Sequence, residues 1–329
     1  MANGATTVLF EGVPSYPDFG RFWETIEKHK VSIFYTAPTA IRSLAKESLE
    51  YVEKYDLSSL KVLGSVGEPI NEEAWHWYND NIGKKHSPIV DTWWQTETGG
   101  ILISPIPFVT PTKPTYATLP FIGIQPALMD EEGNEIKGNQ VDGKLCIKFP
   151  WPGIARTIWG DHERYKETYF STYKGKYFTG DGAFRDEVGY YRITGRVDDV
   201  IIVSGHNLTT APIEDAINEH PAVAESAIVG FEHNIKGNAL YGFVMLKETG
   251  EYRNQDNLRK EINQQIADKI GPIAKLDKIQ FVEGLPKTRS GKIMRRILRK
   301  IANKDFSNLG DTSTLLNPEI VDRIINDVL

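Results

Sequence analysis

Apolar positions in the first hundred residues alternate between two rhythms. Short β-rich runs are TTVLF (6–10), VSIFYT (31–36), LKVLGSV (60–66) and PIVDTWW (88–94). Between them lie stretches with helical spacing at about 19–30, 39–55 and 71–82. Strands alternating with helices of that length predict an α/β parallel sheet with right-handed crossovers. Ligands of such sheets sit beyond the carboxyl ends of the strands. Those ends read EGVPS, TAPT, GSVGEP and QTETGG, rich in Gly, Pro, Thr and Glu. Any one of them fits a tight turn; four in succession point to a site.

The rhythm changes at residue 101. The turn signals MDEEGNE, QVDGK, YKGKY and RDEVGYY separate β-rich runs up to residue 195, predicting antiparallel hairpins or a small barrel. GRVDD then joins two apolar runs and reads as a domain boundary. Beyond it the predicted order is strand 200–203, helix about 211–219, strands 222–230 and 239–246, helix about 255–269, strand 278–282 and a final helix about 292–302. Thr210 is the expected N-cap of the first of these helices, with Pro212 in its first turn. The residues after 303 are polar, then amphipathic. The expected divisions are 1–100 (parallel α/β), 101–196 (β-rich) and 197–329 (compact α+β).

Composition narrows the function classes. The chain has 329 residues, 40% hydrophobic and 25% charged, as soluble globular proteins do. A formal net charge of −6 argues against a dedicated nucleic-acid binder. The single cysteine, Cys146, lies in the apolar run LCIKF and reads as a buried thiol. With no signal peptide and no apolar run long enough for a bilayer, the expected address is cytoplasmic, with no membrane partner.

Several familiar motifs fail on context. GNQVDGKL (138–145) has the spacing of a phosphate loop, but Leu145 replaces the metal-binding hydroxyl and a strand-like run follows, so it reads as a hairpin turn. No dinucleotide fingerprint follows a strand, and no nucleophile elbow is present. What remains is GSVGEP (64–69) and DTWWQTETGG (91–100) at neighbouring strand ends. The first lets backbone approach a flat ligand closely. In the second, Thr and Gln suit phosphate or carbonyl oxygens, and Glu97 suits Mg²⁺. Adjacent tryptophans favour the core for at least one of Trp93 and Trp94. Asp181, between glycines just after a predicted strand, fits a turn more readily than a sugar-binding carboxylate. Arg196 reads as a solvated residue or a phosphate contact. LPKTRSGKIMRRILRK (285–300) holds seven Lys or Arg and no acid. Ile293, Ile297 and Ile301 fall on one stripe, so a solvated helix face is favoured over a site for an anionic polymer.

Taken in order, GSVGEPINEEAWHWY, VDTWWQTETGG, WGDHERYKETYFS, FTGDG, GRVDDVIIVSGH and LPKTRSGKIMRRILRK resemble the AMP-forming acetyl-CoA synthetases of the adenylate-forming superfamily. The likeness runs along essentially the whole chain but covers only the rear half of a family member. An opening strand with no element before it fits that reading, and the family's glycine-rich phosphate loop is not in this sequence. The resemblance implies that residues 1–196 are the rear of a large domain and 197–329 a mobile small domain.

In the family, acetate and ATP give acetyl-AMP, which CoA converts to acetyl-CoA. By motif match, Gly67, Glu68 and Pro69 line the adenine side, and Asp91, Thr92, Trp93, Trp94, Gln95 and Thr96 form the nucleotide turn. Glu97 is implied as the Mg²⁺ ligand, with Thr96, Glu97 and Lys292 the catalytic set. Val66 and Trp94 wall the acyl pocket, the indole excluding chains longer than acetate or propionate. Asp181 holds the ribose hydroxyls and Arg196 the phosphate; Asp198 is the hinge; Ser204 and Gly205 meet CoA. His220 lies where the family places a cation site, although a lone His fits a structural role. Implied partners are acetate, ATP and CoA, a front-half polypeptide, and acetylating and deacetylating enzymes acting on Lys292, with no nucleic acid.

The match departs at three points. Asn207 stands where SGHR supplies an Arg, Ala267 replaces an Arg used for CoA, and Ser15 replaces an Asn. Each lost charge-assisted contact costs about 1.5–3 kcal/mol. The rival reading is therefore a non-catalytic nucleotide-binding remnant, or one subunit of a split synthetase.

Overall fold

A computed structural model describes residues 3–204, 206–234, 236–247, 255–289, 291–307 and 309–329, without the side chains of residues 198 and 207. Contacts gather the chain into two compact units. One comprises Met1–Gln125, Phe149–Gly160 and Arg185–Arg192; the other comprises Pro126–Lys148, Asp161–Phe184 and Ile193–Leu329. No described helix is long and apolar enough to cross a membrane.

In the first unit, β1 (Ile33–Thr36), β2 (Val62–Ser65) and β3 (Ile89–Asp91) form a parallel sheet in that order. Helix α1 (Arg21–His29) precedes the sheet, α2 (Pro38–Ala45) and α3 (Glu50–Glu53) lie in the β1–β2 crossover, and α4 (Glu72–Trp77) lies in the β2–β3 crossover. Their apolar faces join the sheet in one core containing Trp23, Ile26, Ile41, Leu63, Trp75, Tyr78 and Ile89. The expected parallel α/β pattern is present, with local corrections. TTVLF forms no strand: Val8 and Leu9 are exposed, and β propensity yields a strand only where a neighbour completes the ladder. The helical stretch at 39–55 divides in two, α2 ending at Ala45 and α3 beginning at Glu50, with the Ser48 hydroxyl in the link accepting the Glu50 N–H. The stretch at 71–82 ends in a π-helical turn, Tyr78–Ile82.

A five-stranded sheet is formed by β4 (Pro126–Met129), β5 (Glu135–Ile136), β6 (Val141–Ile147), β7 (Tyr177–Arg185) and β8 (Tyr191–Arg196), in the order β5-β4-β6-β7-β8. The β4–β5 and β4–β6 pairs are antiparallel, and residues 138–140 link β5 to β6 on the far side of β4, so the phosphate-loop look-alike is a strand connection and the start of β6 rather than the expected hairpin turn. Cys146 is buried on β6, where desolvation pushes its thiol up to about 12. The sequence reading missed α5 (His162–Phe170), although Asp161 announces it by accepting the Arg164 N–H at 3.0 Å.

The last sheet contains β9 (Ile201–Val203), β10 (His206–Leu208), β11 (Val223–His233), β12 (Gly237–Leu246) and β13 (Lys278–Val282), in the order β10-β9-β12-β11 with β13 beside β12. Side chains of β12 alternate between two cores. Leu240 and Val244 meet α6 (Thr210–Asn218) and α7 (Gln255–Lys269). Tyr241 and Phe243 meet α8 (Arg295–Ala302) and α9 (Glu319–Asn326). A strand buried on both faces reads as a continuous apolar run, as YGFVML does. The N-cap of α6 is Thr209, not Thr210, which is already helical; Pro212 does lie in the first turn.

Candidate functional site

In the first unit, GSVGEP and the tryptophan turn follow β2 and β3, which lie side by side. Gly67 has φ 103°, open to glycine at little cost. Glu68 is held by α2: Arg42 Nη2 donates to its Oε1 at 2.7 Å, and the Thr39 hydroxyl donates to the same oxygen. Sequence reasoning missed both partners; their helical i, i+3 spacing directly after the TAPT strand end was the available signal.

Asp91 closes β3 and is buried. Desolvation raises its carboxyl to about 7, against the pull of the Ser65 hydroxyl and the Thr92 amide. The two indoles separate: Trp93 is buried, while Trp94 is 41% exposed. A short 3-10 turn, Thr96–Thr98, carries Glu97. Its geometry is fixed from both sides. The Thr98 hydroxyl accepts the Gln95 N–H at 3.0 Å and lies 2.8 Å from the Gln95 carbonyl. The Trp151 indole N–H donates to the Thr98 carbonyl, and the Ala155 N–H to the Glu97 carbonyl, both at 2.8 Å. A Cβ on Gly99, at φ 67°, would stand 2.0 Å from the Gly153 carbonyl oxygen, so that backbone approach requires glycine. Trp151 and Gly153 were not singled out in the sequence.

In the second unit, Asp181 and Arg196 come together. Asp181 is buried inside β7 rather than in a turn after a strand; ladder pairing overrides the Asp-Gly turn signal. Arg196 Nη1 lies 3.6 Å from Asp181 Oδ1 and donates to the Thr179 carbonyl at 3.1 Å. Asp181's own N–H donates to the Thr179 hydroxyl at 3.0 Å, and that hydroxyl donates to the Leu145 carbonyl at 2.8 Å.

The basic run divides by role. Lys292 is exposed on a loop closed by the Lys287–Ile293 bridge, its N–H donating to the Thr288 hydroxyl at 3.1 Å. That loop delays α8, which begins at Arg295 rather than near 292. Arg295 grips Glu214, Arg299 pairs with Asp199 at 2.7 Å, and Lys287 with Glu225 at 2.6 Å. Ile297 and Ile301 are buried as the stripe required, with Ile293 packed against them.

Ser204 sits at φ 49°, its N–H bonded to the Lys236 carbonyl at 3.2 Å; Gly205 lies outside the described residues. Asp198 belongs to the 3-10 turn Val197–Asp199. His220 accepts the Ala222 N–H on Nδ1 at 3.2 Å and points Nε2 toward Glu261 at 3.6 Å, which suits a seated structural histidine. Among the described residues no three His, Cys, Asp or Glu side chains gather as a metal-binding group.

The sequence pattern of the AMP-binding enzymes matches residues 1–159, and that of the AMP-binding enzyme C-terminal domain matches 212–292. An acetyl-coenzyme A synthetase of Brucella anthropi is 61% identical over 327 residues, 99% of this chain and 50% of the relative. One from Sinorhizobium fredii is 62% identical over 325 residues, and one from Syntrophobacter fumaroxidans 60% over 327, with the same shares covered. The chain thus spans about half the length of these relatives. A solved anthranilate CoA ligase bound to anthranoyl-AMP superposes with a TM-score of 0.78 at 28% identity, covering 92% of this chain and 55% of the other.

Proposed function

Because this chain belongs to the AMP-binding enzyme family, we propose that it supplies the acyl-pocket wall, nucleotide turn and mobile lysine of an AMP-forming acetate–CoA ligase. The observation that carries this reading is the identity of about 60% to acetyl-coenzyme A synthetases across 99% of the chain. The reaction is acetate plus ATP to acetyl-AMP and pyrophosphate, then displacement of AMP by the CoA thiol. The protein's task in both steps is to hold reactants in line and offset negative charge.

Gly67, Glu68 and Pro69 are assigned to the adenine, with Glu68 kept in place by Arg42 and Thr39. Asp91–Thr96 are assigned to the turn that holds the nucleotide. Asp181 takes the ribose hydroxyls, and Arg196, already beside it, the phosphate. The exposed Lys292 ammonium meets carboxylate and phosphate oxygens as charge moves between them; acetylation would remove that charge and so switch the reaction off. Val66 and Trp94 bound the acyl group. Ser204 and Gly205 are assigned to CoA, with Asp198 as the hinge and 1–100, 101–196 and 197–329 as the working divisions.

Glu97 fits a Mg²⁺ site: a single carboxylate on a rigid turn suits an ion that keeps several waters and shares phosphate oxygens. When bound, the ion neutralises phosphate charge. The remainder of the centre is assigned to a polypeptide corresponding to the unmatched half of the relatives, and the setting to the cytoplasm.

The test is acetate-dependent exchange of pyrophosphate into ATP, by the chain alone and mixed with that complementary half from a relative. Exchange in the mixture, lost in Lys292→Ala, is expected. No exchange in a mixture whose two parts are folded and associated would overturn the reading.

A further inference from the structure

Trp94 is exposed over about two fifths of its surface, so packing covers its indole only in part. Its Nε1–H donates to the Tyr35 hydroxyl oxygen at 3.3 Å. Tyr35 Oη in turn lies 2.7 Å from Thr92 Oγ1, and the Thr92 hydroxyl donates to the Ser65 carbonyl at 2.9 Å. The chemistry of the two ends sets the direction of the chain. An indole N–H can only donate and a carbonyl can only accept. The Thr92 proton is therefore committed to Ser65, and the Tyr35 proton to Thr92. The bonds run one way from the half-exposed indole to the backbone of β2.

The Tyr35 ring is itself seated by the sheet. Tyr35 and Gly64 are partners across the β1–β2 ladder, and a Cβ on Gly64 would stand 2.2 Å from Tyr35 Cδ2. Only glycine at 64 lets the ring lie in that position. Thr92 is buried, so its hydroxyl is shielded from competing water.

We propose that Tyr35 is a positioning residue that fixes the indole plane of Trp94 and thereby sets the length of acyl group the site accepts. This rests on the reading of Trp94 as the wall of the acyl pocket. The hydroxyl of Tyr35 touches no reacting atom; it acts through Trp94.

The experiment uses Tyr35→Phe, which keeps the ring over Gly64 and deletes both hydrogen bonds, and Thr92→Val, which breaks the same chain one link further on. In ¹⁵N-indole spectra of the chain alone, with Trp94 assigned by Trp94→Phe, both variants should shift the Trp94 resonance and speed its hydrogen exchange while the other indoles stay in place. In the complemented exchange assay, Tyr35→Phe should lower the preference for acetate over butyrate about tenfold, the scale on which pockets sort chain lengths, with acetate turnover itself changed far less. A Trp94 resonance unmoved by either variant overturns the proposal. So does a shifted resonance with unaltered chain-length preference. If the complemented parental chain shows no acetate exchange, the ligase reading fails and takes the selectivity claim with it, whereas the spectra still decide the hydrogen-bond chain.

Discussion

The guanidinium of Arg196 occupies the space that a side chain at Gly180 would need. A Cβ built on Gly180 would stand 2.5 Å from Nη2 and 2.8 Å from Cζ, and Gly180 has φ 71°. Gly180→Ala therefore pushes Arg196 away from Asp181 and the Thr179 carbonyl while straining the strand by about 1–2 kcal/mol. The expected outcome is AMP binding weakened about tenfold or more, as for loss of one charge-assisted contact, with a modest loss of stability. Calorimetric titration of the chain with AMP checks this; parental affinity in Gly180→Ala would mean that the Arg196 seat is irrelevant to the nucleotide.

Asp91 makes a pH signature. Its carboxyl is raised to about 7 by burial, above the value near 3.9 expected in an unfolded chain. The folded state thus holds a proton that the unfolded state releases. Stability associated with this group is fully present below about pH 4 and is lost as pH rises through about 7. Asp91→Asn removes the titration. The difference in unfolding free energy between variant and parent should then shift by a few kcal/mol in favour of the variant between pH 5 and pH 8. Denaturant melts at the two pH values provide the comparison, in which other carboxylates cancel. A difference that stays constant would show that Asp91 ionises normally.

Much of this architecture could be read directly from the sequence, and the failures have local causes. Helix α7 has the predicted bounds because Leu258, Ile262 and Ile266 recur at helical spacing against one core, and strand β13 because its β-rich run pairs along β12, with Ile279 and Phe281 on one core and Val282 on the other. TTVLF had the composition of a strand, but composition cannot supply the neighbour that a ladder needs. Asp-Gly at 181–182 is a strong turn signal, but the pairing of β7 in its sheet overrides it, and the Arg196 guanidinium that lies beside the carboxylate comes from a distant part of the sequence. Motif matching brought out the residues it assigns to the ligands, such as Trp94 and Asp181. It could not bring out Arg42, Trp151 and Tyr35, which hold their neighbours in place through side-chain contacts visible only in three dimensions.

Glu214 and Arg295 separate the structural part of the basic run from the rest. Glu214 Oε1 accepts the Ile228 N–H at 2.8 Å and Arg295 Nε at 3.2 Å, while Oε2 accepts Arg295 Nη2 at 2.5 Å. Its side chain is only 9% exposed. Removing one partner leaves a buried charge uncompensated, which costs about 3–5 kcal/mol. Arg295→Ala should therefore lower the unfolding midpoint sharply, whereas Arg296→Ala, at an exposed position, should melt close to the parent. Equal melting of the two variants would refute the anchoring role.

Lys292 should behave in the opposite way, losing function and keeping stability. Its side chain is exposed, and the contact that shapes its loop is made by the backbone N–H, which any substitution except proline preserves. Lys292→Ala should unfold within about 0.5 kcal/mol of the parent, as surface substitutions do. Acetate-dependent pyrophosphate exchange in the complemented system should fall about 10²–10³-fold, the scale of losing one donor aimed at developing charge. Lys292→Arg restores the charge on a longer, planar group, so it should recover AMP binding more than turnover. Equal recovery of both would indicate that the residue acts as a diffuse charge. Full turnover in Lys292→Ala would remove it from the reaction altogether.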